Sequence, residues 1–197
     1  MTATIRPACP DGGDPAAAAR LHAERIAEGF LVTLGPRFLT RLYRRIARSP
    51  GAVLLVAVDA EQVVGFVAAT TSTQRLYGEF LRRDAVPAGL AAAPAIVRSP
   101  RRVWETWRYG TSADHGDLPD AEVLSITVVA EAAGRGIGAA LLTAALDGLG
   151  DRGVARAQVV TAVGNDAALA LYERAGFRRH QRTEVHAGEA QEVLVWP

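Results

Sequence analysis

Gly134-Arg135-Gly136-Ile137-Gly138 decides how this chain reads. It stands between a run of strand character, Glu122 to Val129, and a run with helical periodicity, Ile137 to Leu149. A glycine-rich turn in that position gathers backbone N–H groups at a helix N-terminus with no Cβ to block approach. The helix dipole and the unpaired amides favour an anion there. Arg135 can add a charge-assisted hydrogen bond. Taken alone, the spacing suits a pyrophosphate and equally a tight chain reversal.

Downstream, strand Arg156 to Ala162 and helix Asp166 to Ala175 complete a β-α-β-α unit. That second helix opens on Asn165, a good N-cap, and closes with Gly176 followed by Phe177. Asn165 and Tyr172 are seven residues apart, two helical turns, and so share one side of it. The tail reads as strand Arg178 to Val185, a turn at Ala187-Gly188, and strand Ala190 to Trp196.

Upstream, Thr2 to Pro7 is a candidate strand closed by the breakers Pro10-Asp11-Gly12-Gly13. Asp14 as N-cap and Pro15 in the first turn predict a helix to about Glu28, ended by Gly29. A second helix follows Gly35-Pro36, with Phe38, Leu39, Leu42, Tyr43 and Ile46 on one stripe and arginines mostly elsewhere. Ala52 to Val58 and Val63 to Thr70 read as a hairpin joined by Asp59-Ala60-Glu61-Gln62. From Thr71 to Asp120 prolines break the pattern, predicting short helices at Leu76 to Arg83, Gly89 to Val97 and Arg101 to Tyr109, then a polar loop.

The 197 residues suit one domain, 1–197, with 71–120 as an insertion. Apolar residues make up 49% and charged residues 22%, the usage of a globular chain with a real core. Net charge is +1, with arginine supplying every positive side chain, so bulk attraction to nucleic acid is not expected. The single cysteine, Cys9, excludes an internal disulfide framework, and no CxxC or histidine-rich cluster suggests a metal. With no signal-like start and no apolar run near the roughly 18 residues of a membrane span, the expectation is a cytoplasmic protein without stable membrane association.

Together the two motif segments resemble the GNAT superfamily of acyl-CoA-dependent N-acyltransferases. Its pattern of Gln or Arg, two residues, Gly, one residue, Gly or Ala falls on Ala133 to Gly138, and its Asn…Leu-Tyr-Glu…Gly-Phe segment on Asn165 to Phe177. The resemblance implies an α/β (α+β) fold: a mixed, mostly antiparallel sheet of about seven strands flanked by helices, with the helical insertion between the third and fourth strands. It also implies that the sheet splays between the two motif-bearing strands and that acetyl-CoA, as co-substrate and with no metal, sits in the gap. Gly134, Arg135, Gly136, Ile137, Gly138 and Ala139 would then hold the pyrophosphate. Ile126, Thr127 and Val128 would pair with the pantetheine arm, and Asn165 would join the cofactor site. Ala133, where the family usually has Gln or Arg, shifts that grip toward backbone amides and Arg135.

Acyl transfer to an amine needs a neutral nitrogen, yet near a pKa of 10.4 only about one amine in a few thousand is neutral at pH 7, a penalty of roughly 4 to 5 kcal/mol. By the resemblance Glu122 matches a glutamate base, while the base position of the N-terminal-acetylating branch falls on Val160, which cannot act. His115, Asp117 and Asp120 stay open as alternatives. Period-two alternation places Glu122, Leu124, Ile126 and Val128 on one face. Tyr172 matches the proton donor to the departing sulfur, and the oxyanion would meet a backbone N–H near Val128.

The acceptor pocket would draw on Phe30 to Phe38, the insertion, and His186 to Glu189. Tyr77, Trp104, Trp107 and Tyr109 with Glu79, Asp84 and Glu105 suit either a wall for a small cationic amine or the insertion's own core. Arg98, Arg101, Arg102 and Arg108 around the tryptophans form a short patch for an anionic surface or substrate. The reading is an N-acetyltransferase acting on a primary amine of a small molecule, as monomer or homodimer. Acetylation of a protein N-terminus or lysine is the alternative, and a CoA-binding sensor domain is the alternative of another class. A dinucleotide oxidoreductase fits less well, because the strand ending at Ala162 lacks the acidic residue its fingerprint requires.

Overall fold

The computed structural model describes residues 3–26, 30–98, 117–184 and 190–197. Element order is β1 (Thr4–Pro7), α1 (Asp14–Arg25), α2 (Phe30–Thr33), α3 (Pro36–Arg48), β2 (Ala52–Asp59), β3 (Gln62–Thr70), α4 (Thr73–Arg98), β4 (Glu122–Val128), a 3-10 turn (Ala130–Ala132), α5 (Ile137–Gly150), β5 (Ala157–Ala162), α6 (Asp166–Arg174), β6 (Arg178–Glu184) and β7 (Ala190–Trp196). The sheet has seven strands in the order β1-β2-β3-β4-β5-β7-β6. All neighbours pair antiparallel except β4 and β5, which are parallel. The expected mixed, mostly antiparallel sheet flanked by helices is therefore present.

Strand β2 explains how the sheet is covered. Val53, Leu55 and Ala57 lie with α5 and α6, while Ala52, Leu54 and Val56 lie with α1, α3 and the start of α4. Both faces are buried, so the strand reads as a continuous apolar run rather than an alternation. The α3 stripe packs as its period predicts, with Leu39, Leu42, Tyr43 and Ile46 buried. The β2–β3 turn carries left-handed residues at Ala60 (φ 47°) and Glu61 (φ 65°), the geometry that matches strand twist in a two-residue hairpin.

Three local expectations change. Asp14 is the first residue of α1 rather than its cap. Its carboxylate instead receives Arg6 Nη1 at 2.6 Å and the Cys9 amide at 2.7 Å, tying β1 to the helix. The two short helices predicted at Leu76 to Arg83 and Gly89 to Val97 are one, α4, running through Pro87 and Pro94. Ser72 starts it by accepting the Arg75 amide, and the alanine-rich middle favours continuation over a break. The helix expected at Arg101 to Tyr109 and the turn at Ala187-Gly188 lie outside the described residues. Among the described residues no helix is long and apolar enough to cross a membrane.

The third change concerns β4. Register between β3 and β4 slips between Ala68, opposite Ser125, and Ala69, opposite Val123, leaving Leu124 as the extra residue of a bulge. The bulge reverses the phase of the strand. Val123, Ile126 and Val128 pack toward α5 and α6, whereas Leu124 and Ser125 face α1 and α3. Glu122 shares its face with Leu124 but not with Ile126 or Val128, contrary to simple alternation.

Candidate active site

Strands β4 and β5 pair only at Glu122 with Gln158 and Val123 with Val159, reinforced by Gln158 N–H donating to Ala121 at 2.8 Å. Beyond that they part. β5 continues along β7 through Ala162, and β4 continues along β3 through Val128. Ser125 to Val128 thus have a strand partner on one side and a gap on the other. Gly65 of β3 secures the outer side, since a Cβ there would stand 2.9 Å from the Thr127 carbonyl oxygen.

The chain leaves β4, makes the 3-10 turn and enters α5 through Gly134 (φ +74°) and Gly136 (φ +77°). Left-handed backbone at these φ values favours glycine. Gly136 is the N-cap of α5, and no side chain among the described residues caps the helix. The first amides of α5, on Ile137, Gly138 and Ala139, have no intrahelical acceptor and face outward at the positive end of the dipole. Arg135 reaches Asp59 at the end of β2, Nη2 to Oδ2 2.9 Å. Asp59 is not legible as a site residue, being separated from Arg135 by more than a third of the chain.

The second motif folds against the first. A Cβ on Gly138 would lie 3.8 Å from Leu171 Cδ2 of α6 and 3.9 Å from Val128 Cγ2 of β4. Asn165 caps α6 by accepting the Ala168 amide at 3.3 Å. Tyr172 is 5% exposed in the same cluster as Ile137, Leu169 and Phe177, its ring 5.6 Å from that of Phe177. Among the described residues its hydroxyl makes no hydrogen bond, and burial pushes the phenol up to about 12.

At the start of β4, Thr73 joins two elements: its amide donates to Asp120 O at 3.2 Å and its Oγ1 to Glu122 Oε2 at 2.9 Å. The open end of α4 is thereby fixed beside Glu122. Asp117 is exposed and 3.9 Å from Arg156, and Asp120 is exposed as well. His115 lies outside the described residues. The insertion's carboxylates divide differently than expected. Glu79 accepts Ser49 Oγ at 3.0 Å and Asp84 accepts Arg45 Nε at 2.6 Å, so both hold α4 to α3. Tyr77 is 41% exposed. Trp104, Glu105, Trp107, Tyr109, Arg101, Arg102, Arg108 and His186 to Glu189, like the Arg98 and Phe30 side chains, lie outside what is described.

A buried polar chain lies outside every sequence motif. His22 of α1 meets Tyr43 of α3, Nδ1 to Oη 2.5 Å, and Tyr43 Oη meets Ser125 Oγ of β4 at 2.9 Å. One signal for it exists: Ala18, Leu21 and His22 fall at i, i+3 and i+4, which sets a histidine on the apolar stripe of α1.

Comparison with known proteins agrees with this geometry. The Acetyltransferase (GNAT) family matches residues 20–177, from α1 through Phe177. No curated protein sequence matches. Among solved structures, the NatC complex bound to Gag peptide and CoA shares 16% identity and a TM-score of 0.63, covering 100% of this chain and 99% of that one. Ard1 from Thermoplasma volcanium is similar at 16% identity and TM-score 0.62, covering 99% and 97%. The ribosomal-protein-S18-alanine N-acetyltransferase of Escherichia coli is similar at 16% and 0.61, covering 99% and 93%. With parting parallel strands, an uncapped glycine turn facing outward beside them, and a family match spanning both motifs, the chain belongs to the GNAT acetyltransferase family.

Proposed function

We propose that the protein transfers an acetyl group from acetyl-CoA directly to a primary amine of a small molecule, without a covalent acyl-enzyme. Members of the family are acyl-CoA-dependent enzymes. The observation that carries the reading is the gap between β4 and β5 opening beside the first amides of α5, which no side chain among the described residues caps. Pyrophosphate placed on Gly134 to Ala139, with Arg135 beside it, directs the pantetheine arm back along Val128, Thr127 and Ile126 as a substitute strand. The thioester then arrives where β4 and β5 part, next to Ser125. A backbone N–H on that unpaired edge of β4 receives the oxyanion. Asn165, at the start of α6, borders the same gap.

Glu122, held by Thr73, takes the first proton from the incoming ammonium. Tyr172 donates a hydrogen bond to the departing sulfur. With its phenol near 12 and a thiol near 8.5, full proton transfer is uphill by about 5 kcal/mol, so the hydroxyl stabilises thiolate rather than protonating it outright. A buried hydroxyl without a partner among the described residues is costly, and a cofactor sulfur would satisfy it. Thr73, at the start of the insertion, sits on Glu122, and this favours a small amine. Acetylation of a protein amine is the second reading, favoured by the ribosomal-protein-S18-alanine N-acetyltransferase among the structural neighbours.

Release of CoA from acetyl-CoA across spermidine, glucosamine, free amino acids and short peptides tests the proposal. Turnover with a small amine and not with peptides is expected. Peptide-only turnover would favour the second reading, and tight acetyl-CoA binding without any turnover would leave a sensor.

A further inference from the structure

Conversion of an ammonium to an amide removes two protons from the nitrogen, and one carboxylate, Glu122, takes only one. A second acceptor lies beside the β4 bulge. His22 is 6% exposed and Tyr43 2% exposed, and they are linked in a line with Ser125. The Tyr43 ring is fixed edge-on to Phe66, centroids 5.0 Å apart at 75°, and tilted against His22 at 5.8 Å. Around them are Ala18, Leu21, Leu39, Leu42 and Phe66, where apolar side chains would pack without the desolvation that an imidazole and a phenol incur. The line ends at Ser125, half-buried, directly after the bulge and two residues past the last β4–β5 pair.

We propose that Ser125, Tyr43 and His22 form a relay that accepts the second proton of the acceptor amine, Ser125 touching the nitrogen and the other two acting through it. This rests on the amine-acetylation reading. The amine nitrogen forms its bond to the thioester carbonyl carbon as the C=O π pair moves onto oxygen, and that pair re-forms the carbonyl when the sulfur leaves. Its N–H proton passes to Ser125 Oγ while the Ser125 proton passes to Tyr43 Oη and the Tyr43 proton to His22 Nδ1. The C–S bond then breaks with its electron pair leaving on sulfur, and the His22 imidazolium returns its proton along the same line to sulfur or solvent. The relay requires a neutral His22 with a bare Nδ1 at pH 7. Burial lowers the pKa of His22 below its ordinary value, which keeps the ring unprotonated.

Two readouts test it. Steady-state kinetics of Ser125→Ala, Tyr43→Phe and His22→Asn, with acetyl-CoA and the best amine among spermidine, glucosamine, amino acids and short peptides, should show kcat reduced roughly 100-fold at unchanged KM for acetyl-CoA. His22→Asn keeps an acceptor for Tyr43 but cannot take a proton, so a purely structural role would leave its kcat intact. That result, or wild-type kcat in Tyr43→Phe, overturns the relay. Nitrogen-15 NMR of the unaltered protein at pH 7, with His22 assigned by its loss in His22→Asn, should place the ring proton on Nε2. A proton on Nδ1 overturns the relay without reference to turnover. Absence of transfer to every amine would instead overturn the acetylation reading on which it rests.

Discussion

On one face of the sheet, α5 and α6 cover Val53, Leu55, Val67, Val123 and Val159, and the buried Tyr172 hydroxyl there has no hydrogen-bond partner among the described residues. On the other, α1, α3 and α4 cover Leu54, Val56, Phe66 and Ala68 around the line His22, Tyr43, Ser125 and the partly buried pair Arg45–Asp84. The first face supports a site made of backbone: a strand edge and helix amides. The second supports a site made of side chains. Backbone recognition suits a cofactor common to a family, while side-chain chemistry suits an acceptor particular to one protein.

The largest effect that would break this contrast is at Gly136. Valine there must hold φ near +77° or turn the peptide out, a strain of about 1–3 kcal/mol. Gly136→Val should therefore weaken acetyl-CoA binding by roughly 10- to 100-fold in calorimetry. Because nothing stands within 4 Å of its Cβ position, unchanged affinity would remove backbone geometry as the determinant.

Next is the acid limb of stability, which belongs to the side-chain face. His22 has a folded pKa below the unfolded value of about 6.5, so the unfolded state binds a proton that the folded state refuses. Its contribution is complete above that unfolded value and is lost as pH falls toward the folded pKa, with a slope of at most about 1.4 kcal/mol per pH unit. Urea unfolding at successive pH values should show this loss in the unaltered protein and a flatter limb in His22→Asn. Identical limbs would mean the imidazole is not held neutral.

A smaller effect is expected at Tyr172. Tyr172→Phe should lower kcat by about 3- to 10-fold, or roughly 1 kcal/mol, without abolishing turnover. Stability should stay level or rise slightly, since the hydroxyl removed is buried without a partner among the described residues. Full activity at every pH would remove Tyr172 from the reaction.

Smallest of all is Asp59→Ala. Removing this half-exposed ion pair should change KM for acetyl-CoA by about threefold or less, consistent with a contribution of roughly 0–1 kcal/mol. A change of tenfold or more would give the arginine a larger share of the phosphate grip than the amides leave it.

The difference between the faces also explains what the sequence made legible. The glycine turn, the Asn165 cap and the strand–helix order are local, each carried by residues within one or two turns of one another, and the sheet with its β4–β5 opening was implied by the family resemblance those motifs carry. The relay joins α1, α3 and β4, with Tyr43 and Ser125 82 positions apart, and no local period marks such a contact. Asp59 with Arg135 is hidden in the same way. The bulge at Leu124 defeated strict alternation because one inserted residue moves every later side chain of β4 to the other face. Pro87 and Pro94 suggested breaks that the alanine-rich α4 does not make.

Backbone amide NMR during titration with acetyl-CoA tests the central claim most directly. Binding in the β4–β5 gap predicts the largest shifts at Ile126, Thr127, Val128 and Gly134 to Ala139, with Asn165 affected and β1 unchanged. Saturable binding that leaves those amides unmoved, or no binding at millimolar acetyl-CoA, would contradict it.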